Sequence, residues 1–212
     1  MTDDDMLIKM SSIIDRYNKF LTHIRYTEGR RADPVWQTNN GDRCYGFVPT
    51  PHPVYLMRVL NMALQFVKRS IKESRPTSFL DAGCGMGNVM VEAYEVGFDK
   101  VVGIELDPIT AAYARRMLDC FTHTEFEIIE GDIRKYTKYG EHDVIYYYQP
   151  LYGRLGMDPF LNILKETASV GSVIIVNGSD TFYDDYRFRN ILDANESYSS
   201  IPVDAVYVKE VK

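Results

Sequence analysis

The sequence predicts an α/β chain, doubly wound around a mostly parallel seven-stranded sheet, with a helical extension at its N-terminus. Three observations lead there. From Phe79 to Asp107 the chain reads strand, glycine-rich turn, helix, strand and acidic tip: Phe79-Leu80-Asp81-Ala82-Gly83-Cys84-Gly85-Met86-Gly87-Asn88, an apolar helical pattern, then Val101-Val102-Gly103-Ile104-Glu105-Leu106-Asp107. Beyond it, short apolar runs alternate with helical patterns, as βαβ units require. Ahead of it, an apolar stripe at helical spacing runs through residues 4–26.

In the N-terminal stripe, Met6, Met10, Ile13, Tyr17, Phe20 and Ile24 step by four and three. Leu7, Ile14 and Leu21 widen it, while Lys9, Ser12, Arg16, Lys19 and His23 fall opposite. It is shorter than a sustained coiled coil. We expect it to pack on the domain's own flank, the alternatives being a homodimer contact or a substrate lid. Residues 27–50 carry Gly29, Pro34, the turn pair Asn40-Gly41, Gly46 and Pro49, and read as a long irregular loop. Its Trp36, Tyr45 and Phe47 either anchor the loop to the core or close over a ligand.

Thr50-Pro51-His52-Pro53 opens a helix that runs to about Lys72, with an apolar face of Val54, Met57, Leu60, Met62, Ala63, Phe66 and Val67. His52 reads as a helix-cap or surface residue before it reads as a base. Arg75-Pro76 ends the segment. Strands are expected at Ser78–Ala82, Lys100–Glu105, Glu125–Glu130, Asp143–Tyr148 and Val170–Asn177, with residues 196–200 as a sixth and Val203–Val211 as the last. Helices are expected over Asn88–Val96, from Asp107-Pro108 (an N-cap followed by a first-turn proline) through Cys120, briefly from Asp132, over Asp158–Ala168, and up to about Leu192.

At 212 residues the chain is long enough for one domain with a sizeable core. No apolar run approaches a membrane span, and the acidic N-terminus is unlike a secretory leader. Cys44, Cys84 and Cys120 are odd in number and lack metal-ligand spacing, so we expect reduced thiols, a cytoplasmic setting and no metal. The formal net charge of −6 counts against a nucleic-acid partner, whose binders carry a basic footprint.

The alternating Gly83, Gly85 and Gly87 permit a turn with unusual dihedrals and let bare backbone approach a ligand. The helix behind them points its first N–H groups at the turn, which favours an anion there. A dinucleotide fingerprint wants G-x-G-x-x-G, and Asn88 stands where its third glycine belongs; the Gly-Lys-Ser/Thr end of a P-loop is absent. Asp81 precedes the turn. Glu105 sits at the next strand tip, where a carboxylate can accept from both hydroxyls of a ribose. Gly131-Asp132-Ile133 forms a third tip, where a carboxylate can take the amino edge of an adenine.

With these residues together, Asp81-x-Gly83-x-Gly85-x-Gly87, Glu105 and Gly131-Asp132 resemble the first three motifs of class I S-adenosylmethionine-dependent methyltransferases, over roughly residues 75–180. The resemblance implies a Rossmann-like fold whose seventh strand lies antiparallel between the fifth and sixth. It also implies a cofactor site: the Gly83–Gly87 turn, with Asp81, Cys84 and Asn88, at the methionine part of S-adenosylmethionine, Glu105 and Leu106 at the ribose, and Asp132 and Ile133 at the adenine. Residues 54–212 are then the methyltransferase core, and residues 1–53 a helix and loop that cover cofactor or substrate.

In that family the residues after the fourth strand face the transferable methyl. Here they are Gln149-Pro150-Leu151-Tyr152, where amino-directed nucleic-acid methylases carry Asp/Asn/Ser-Pro-Pro-aromatic; the departure counts against that chemistry. Gln149, Tyr152 and Tyr148 are the candidate catalytic residues, whereas Tyr146 and Tyr147 read as core. Part of the turn region, with Glu95-Val96-Gly97, is similar to histone-lysine methyltransferases of the class I fold, but their paired asparagines after the fourth strand are missing. The sequence thus points to methyl transfer onto a small molecule or a protein side chain by a monomer or homodimer. A nucleic-acid methyltransferase and a non-catalytic cofactor-binding regulator are the alternatives. Substrate choice is expected from residues 1–50 and from the loops after the fourth and fifth strands.

Overall fold

The computed structural model describes residues 4–5, 7–9, 11–12, 15, 35–37, 43–45, 53–70, 75–121, 126–151, 153–178, 182, 184–192 and 205–211. Its elements are β1 (Val35–Gln37), β2 (Arg43–Tyr45), α1 (Pro53–Ser70), β3 (Ser78–Ala82), α2 (Asn88–Val96), β4 (Lys100–Glu105), α3 (Pro108–Phe121), β5 (Phe126–Glu130), β6 (Val144–Tyr148), α4 (Gly153–Thr167), β7 (Val173–Asn177), β8 (Phe188–Asn190) and β9 (Ala205–Lys209).

Seven strands form one sheet in the order β5-β4-β3-β6-β7-β9-β8. Pairing is parallel from β5 through β7, and β9 runs antiparallel between β7 and β8. β3 and β7 are buried along their whole length. Such strands lack polar alternation because helices cover both faces of the sheet. One face packs Phe79, Val101, Val144, Tyr146 and Ile175 against α1, α2 and the end of α3. The other packs Leu80, Val102, Ile145, Tyr147 and Val176 against α4. Tyr146 and Tyr147 therefore lie in opposite cores, as strand alternation requires. Phe160 of α4 meets Tyr147 edge-on, with ring centroids 5.3 Å apart.

Several expectations are corrected. The 27–50 segment is not wholly irregular, since β1 and β2 pair as an antiparallel ladder with Trp36 opposite Cys44. α4 starts at Gly153, not Asp158. Asp158-Pro159 resembles a helix entry, but Met157, Phe160, Leu161 and Leu164 all reach the core, and that packing carries the helix through the proline. The segment before Leu192 is a strand: β8 pairs with the outer edge of β9, and the Phe188 ring packs tilted against Phe182 with centroids 4.7 Å apart. Three residues are too few to show a period. After Asp132 the chain makes turns and a 3₁₀ turn at Tyr139–Glu141, not an α-helix. Leu7, assigned to the apolar stripe, is 53% exposed, and it is Lys9 that turns toward the domain, with its Nζ 3.4 Å from the Glu95 carboxylate. Residues 196–200, Thr50-Pro51-His52 and Tyr152 lie outside the described residues.

The amino ends of β3 and β6 are tied by polar groups. The Ser78 N–H donates to Asp143 at 2.9 Å, and Asp143 also holds Arg75. The Ser78 hydroxyl lies 2.9 Å from His142 Nδ1, and the Tyr136 hydroxyl 2.7 Å from its Nε2. Burial, helped by the Lys100 charge, holds the His142 imidazole down at about 4. An imidazole whose folded pKa lies below its ordinary value binds its proton more readily when the chain is unfolded. Its contribution to stability is therefore intact above about pH 6.5 and is lost as pH falls toward about 4. Between pH 7 and pH 5 the wild-type chain should lose on the order of 2 kcal/mol more stability than His142→Asn does, read by denaturant unfolding at both pH values. Equal losses would show that His142 is not held neutral.

Candidate active site

The strand order reverses between β3, whose chain moves outward through β4 and β5, and β6, whose chain moves the other way through β7. In open α/β sheets ligands bind in the crevice at the carboxyl ends on either side of such a reversal. The turn after β3 and the loop after β6 face each other there. A methyl group added to Gly83 would lie 2.5 Å from Pro150 Cβ, so only hydrogen fits between them.

Gly83, Gly85 and Gly87 have φ of +89°, +55° and +84°, a region that side chains avoid. The Gly83 and Cys84 N–H groups both donate to the Ile104 carbonyl at 2.9 Å, and the Gly87 N–H donates to the Cys84 carbonyl at 2.8 Å. Glu105 completes the turn. Its two carboxylate oxygens accept from the N–H groups of Gly85 and Asp107, each at 2.9 Å. Asp107 in turn caps α3, accepting from the Thr110 N–H at 2.8 Å and from its hydroxyl at 2.7 Å. Leu106, half-buried, lies between these two acids. Gly85 fronts open space, with nothing within 4 Å of where a Cβ would sit.

Asp81 is 2% exposed and pairs in register with Gly103 and Tyr146. The place a side chain at Gly103 would occupy is filled by the sulfurs of Met90 and Cys84. Burial, then the Glu105 charge, pushes the Asp81 carboxyl up to about 8; Glu105 is also raised, chiefly by burial. Cys84 turns its thiol into the core, and its N–H and carbonyl are both engaged within the turn, so it shapes the loop and does not present polar atoms to a ligand. Behind Asp81, α2 places Asn88 and Glu92 four residues apart, on one side of the helix. The Asn88 Oδ1 and one Glu92 carboxyl oxygen are buried without a hydrogen-bond partner among the described residues. Glu92 is raised well above its ordinary value, first by burial and then by the Asp81 charge.

After β6, Gln149 has a φ of +33°, the one positive value at a non-glycine residue among those described. Such a conformation persists where the surroundings over-determine it, and it clusters at functional sites. Its N–H donates to the Asn177 carbonyl at 3.2 Å, and its side chain lies over Gly178, where any Cβ would collide with it. Tyr148 is half-buried against the α1–α2 side of the core, and the Asn177 amide lies 3.4 Å from the Tyr146 hydroxyl. At the third tip, both Asp132 oxygens accept from Arg134, at 2.8 to 3.0 Å, and Ile133 is buried. Burial pushes the Asp132 carboxyl up, but the Arg134 hydrogen bonds outweigh this and leave it below its ordinary value.

The structure thus gathers Asp81, Gly83, Gly85, Gly87, Asn88, Glu105, Tyr148 and Gln149 at one crevice, with Asp132 and Ile133 at its β5 side. Sequence reasoning passed over Glu92, Asn177 and Gly178. The available signal for Glu92 was an acid four residues after Asn88 in a helix whose neighbours Val89, Met90, Val91 and Ala93 are all apolar. The S-adenosylmethionine implied by the resemblance fits this site on three counts. Open space fronts Gly85, Glu105 keeps acceptor capacity because a carboxylate has about four lone-pair sites, and Asn88 Oδ1 is an unused buried acceptor. Among the described residues no cluster of His, Cys, Asp or Glu is arranged to hold a metal ion, and no helix is long and apolar enough to cross a membrane.

The family described as a methyltransferase domain matches residues 73–211. The chain is 24% identical over 155 residues to an mRNA cap guanine-N(7) methyltransferase of Debaryomyces hansenii, a match that covers 63% of this chain and 30% of that protein. Among solved structures, an RNA methyltransferase from Salinibacter ruber in complex with S-adenosyl-L-homocysteine aligns with a TM-score of 0.53 and 22% identity over 77% of this chain and 92% of that one. A ribosomal protein L11 methylase from Lactobacillus delbrueckii subsp. bulgaricus aligns with a TM-score of 0.52 and 13% identity over 71% and 77%. At these identities the structural likenesses speak for the fold.

Glu105 carries the sharpest test of the site. Glu105→Ala leaves the Gly85 and Asp107 N–H groups without their acceptor, which should cost about 1–3 kcal/mol of stability. It should also weaken S-adenosylhomocysteine binding by on the order of tenfold or more, the equivalent of about 1.4 kcal/mol. Calorimetry on the folded variant checks this, and unchanged affinity would remove Glu105 from the site.

Proposed function

The chain belongs to the class I S-adenosylmethionine-dependent methyltransferases, and on that footing we propose that it methylates a small molecule or a protein side chain held at Gln149. The observation that carries the reading is the strained Gln149 itself, poised on the loop that abuts the glycine turn. When bound, the cofactor supplies a methyl group on a positively charged sulfur, which an acceptor lone pair displaces in line.

Holding the two reactants in line at close range provides most of the acceleration such a reaction needs. Gly83 brings the turn against Pro150, so the methionine end of the cofactor and the Gln149 loop share one narrow space. The Gln149 side-chain amide offers one acceptor oxygen and two donor hydrogens to orient an incoming group. Tyr148 lies at the same strand end, where an aromatic face stabilises the sulfonium. Glu105 holds the ribose while its own oxygens keep the turn closed, and Asp132 with Ile133 bounds the adenine end, where Arg134 keeps the Asp132 carboxylate charged and fixed. Asp81 and Glu92 are both buried, so neither is offered here as a general base. This favours an acceptor that already offers a lone pair, such as a neutral amine, which sheds a proton to solvent after transfer, or an unprotonated ring nitrogen, which has none to shed.

A second reading, a nucleic-acid base as acceptor, is supported by the resemblance to the cap guanine-N(7) methyltransferase. The net charge of −6 weighs against it.

S-adenosylhomocysteine at about a hundredfold over its dissociation constant should stabilise the protein by about 2.7 kcal/mol, which raises the melting temperature by roughly 5–10 °C. A folded protein that shows no shift with this ligand or with S-adenosylmethionine would defeat the cofactor assignment. Once an acceptor is found, Gln149→Ala should lower turnover by on the order of tenfold or more with little change in cofactor affinity. Equal loss in both would contradict its place beside the methyl.

A further inference from the structure

The end of β6 is seated between two glycines. β3 and β7 flank β6 in the sheet, and each is followed at once by a glycine at positive φ, Gly83 at +89° after Ala82 and Gly178 at +108° after Asn177. Pro150 fills the slot on the β3 side, against Gly83. The Gln149 side chain fills the slot on the β7 side. A Cβ at residue 178 would lie 2.7 Å from Gln149 Cδ and 2.8 Å from its Nε2, closer than real Cβ atoms come to a neighbour. The Asn177 carbonyl fixes the backbone between the two slots, accepting the Gln149 N–H at 3.2 Å, and the Asn177 amide reaches the Tyr146 hydroxyl at 3.4 Å. A residue before proline is pushed toward extended backbone. The φ of +33° at Gln149 is therefore held by these neighbours and not by its own preference.

Resting on the cofactor reading above and on Gln149 as the residue beside the methyl, we propose that Gly178 is a positioning residue for Gln149. The missing side chain at 178 lets the Gln149 amide lie across the end of β7 and keeps it off the β3 side, where the glycine turn receives the methionine end of the cofactor. A methyl group at 178 would displace Cγ, Cδ and Nε2 of Gln149 together. Asn177 holds the Gln149 backbone from the β7 side, and Pro150 closes the space toward Gly83. The displaced amide is left with the space above the strand ends, where it crowds the sulfonium methyl. The cost falls on a ligand that carries the methyl and spares one that does not. Glycine at 178 thus meets two requirements: its φ, which side chains resist, and room for the amide. Only the second depends on Gln149, so a pair of substitutions separates them.

S-adenosylmethionine and S-adenosylhomocysteine differ by one methyl and its charge, so the ratio of their affinities reads the space beside that methyl. Calorimetry on the full chain gives this ratio for the wild type, Gly178→Ala, Gln149→Ala and the double variant. Gly178→Ala should shift the ratio against S-adenosylmethionine by on the order of threefold or more, and the double variant should return to within about twofold of Gln149→Ala. A backbone effect at 178 would move both ligands alike and persist without the Gln149 side chain. An unchanged ratio in Gly178→Ala, or a shift of the same size in the double variant, overturns the proposal and leaves the cofactor site standing. Should Gly178→Ala fail to fold, Gly178→Asn, whose side chain tolerates positive φ better, carries the same comparison. Should neither fold alone, thermal melting of the double variant Gln149→Ala/Gly178→Ala decides. A folded double variant supports the proposal, because the atoms that residue 178 would strike are gone, and an unfolded one overturns it. A wild-type chain that binds neither ligand overturns the cofactor reading, and this proposal with it.

Discussion

The site depends on one carboxylate, that of Glu105, shared between two backbone N–H groups. The Gly85 N–H comes from the turn after β3 and the Asp107 N–H from the turn after β4, and each donates to a different Glu105 oxygen. Together with the Ile104 carbonyl, which accepts from Gly83 and Cys84, this closes a loop that has three residues at positive φ and whose only side chains, Cys84 and Met86, pack into the core. A glycine turn is entropically expensive to order. The hydrogen bonds to a charged acceptor, stronger than neutral ones, offset that cost. The same carboxylate retains acceptor capacity beyond these two bonds, which the proposed ribose contact would use.

The two ends of the sheet are built differently. At the amino ends of β3 and β6, Ser78, His142, Asp143, Tyr136 and Arg75 satisfy one another, and the strands are pinned. At the carboxyl ends the polar groups are left partly unsatisfied: Asp81 and Glu92 carry raised pKa values, Asn88 has an unused oxygen, and Gln149 is strained. Incomplete satisfaction in a buried place is unfavourable to the folded chain alone. It becomes favourable when a ligand brings the missing partners. Three acids around one turn favour a ligand with positive charge, which suits a sulfonium and an ammonium far better than a phosphate.

Much of this was legible in the order of residues. Asp81-x-Gly83-x-Gly85-x-Gly87 and Glu105 are local in sequence because the strand, turn and helix that use them are consecutive, and a βαβ unit writes its own signature. The apolar runs of β3, β6 and β7 announced a sheet covered on both faces, and Asp107-Pro108 announced the start of α3. What failed was of two kinds. β8 was read as helix because three residues carry no period, and it exists only because the edge of β9 and the ring of Phe182 are there to receive it. α4 was started late because Asp158-Pro159 looks like a helix entry, while the packing of Met157 and Phe160 carries the helix through it.

The sequence by itself therefore determined the class of fold, the glycine turn and the acid that clamps it, since these follow from backbone stereochemistry and from spacing within a few dozen residues. Tertiary structure alone decided which distant groups face that turn. Pro150 against Gly83 and Gln149 over Gly178 each join residues on different elements, and no local pattern encodes their proximity. Parallel pairing of β6 with β3 on one side and with β7 on the other brings them together, because the sheet reverses its order between β3 and β6 and leaves both strand ends open on one crevice.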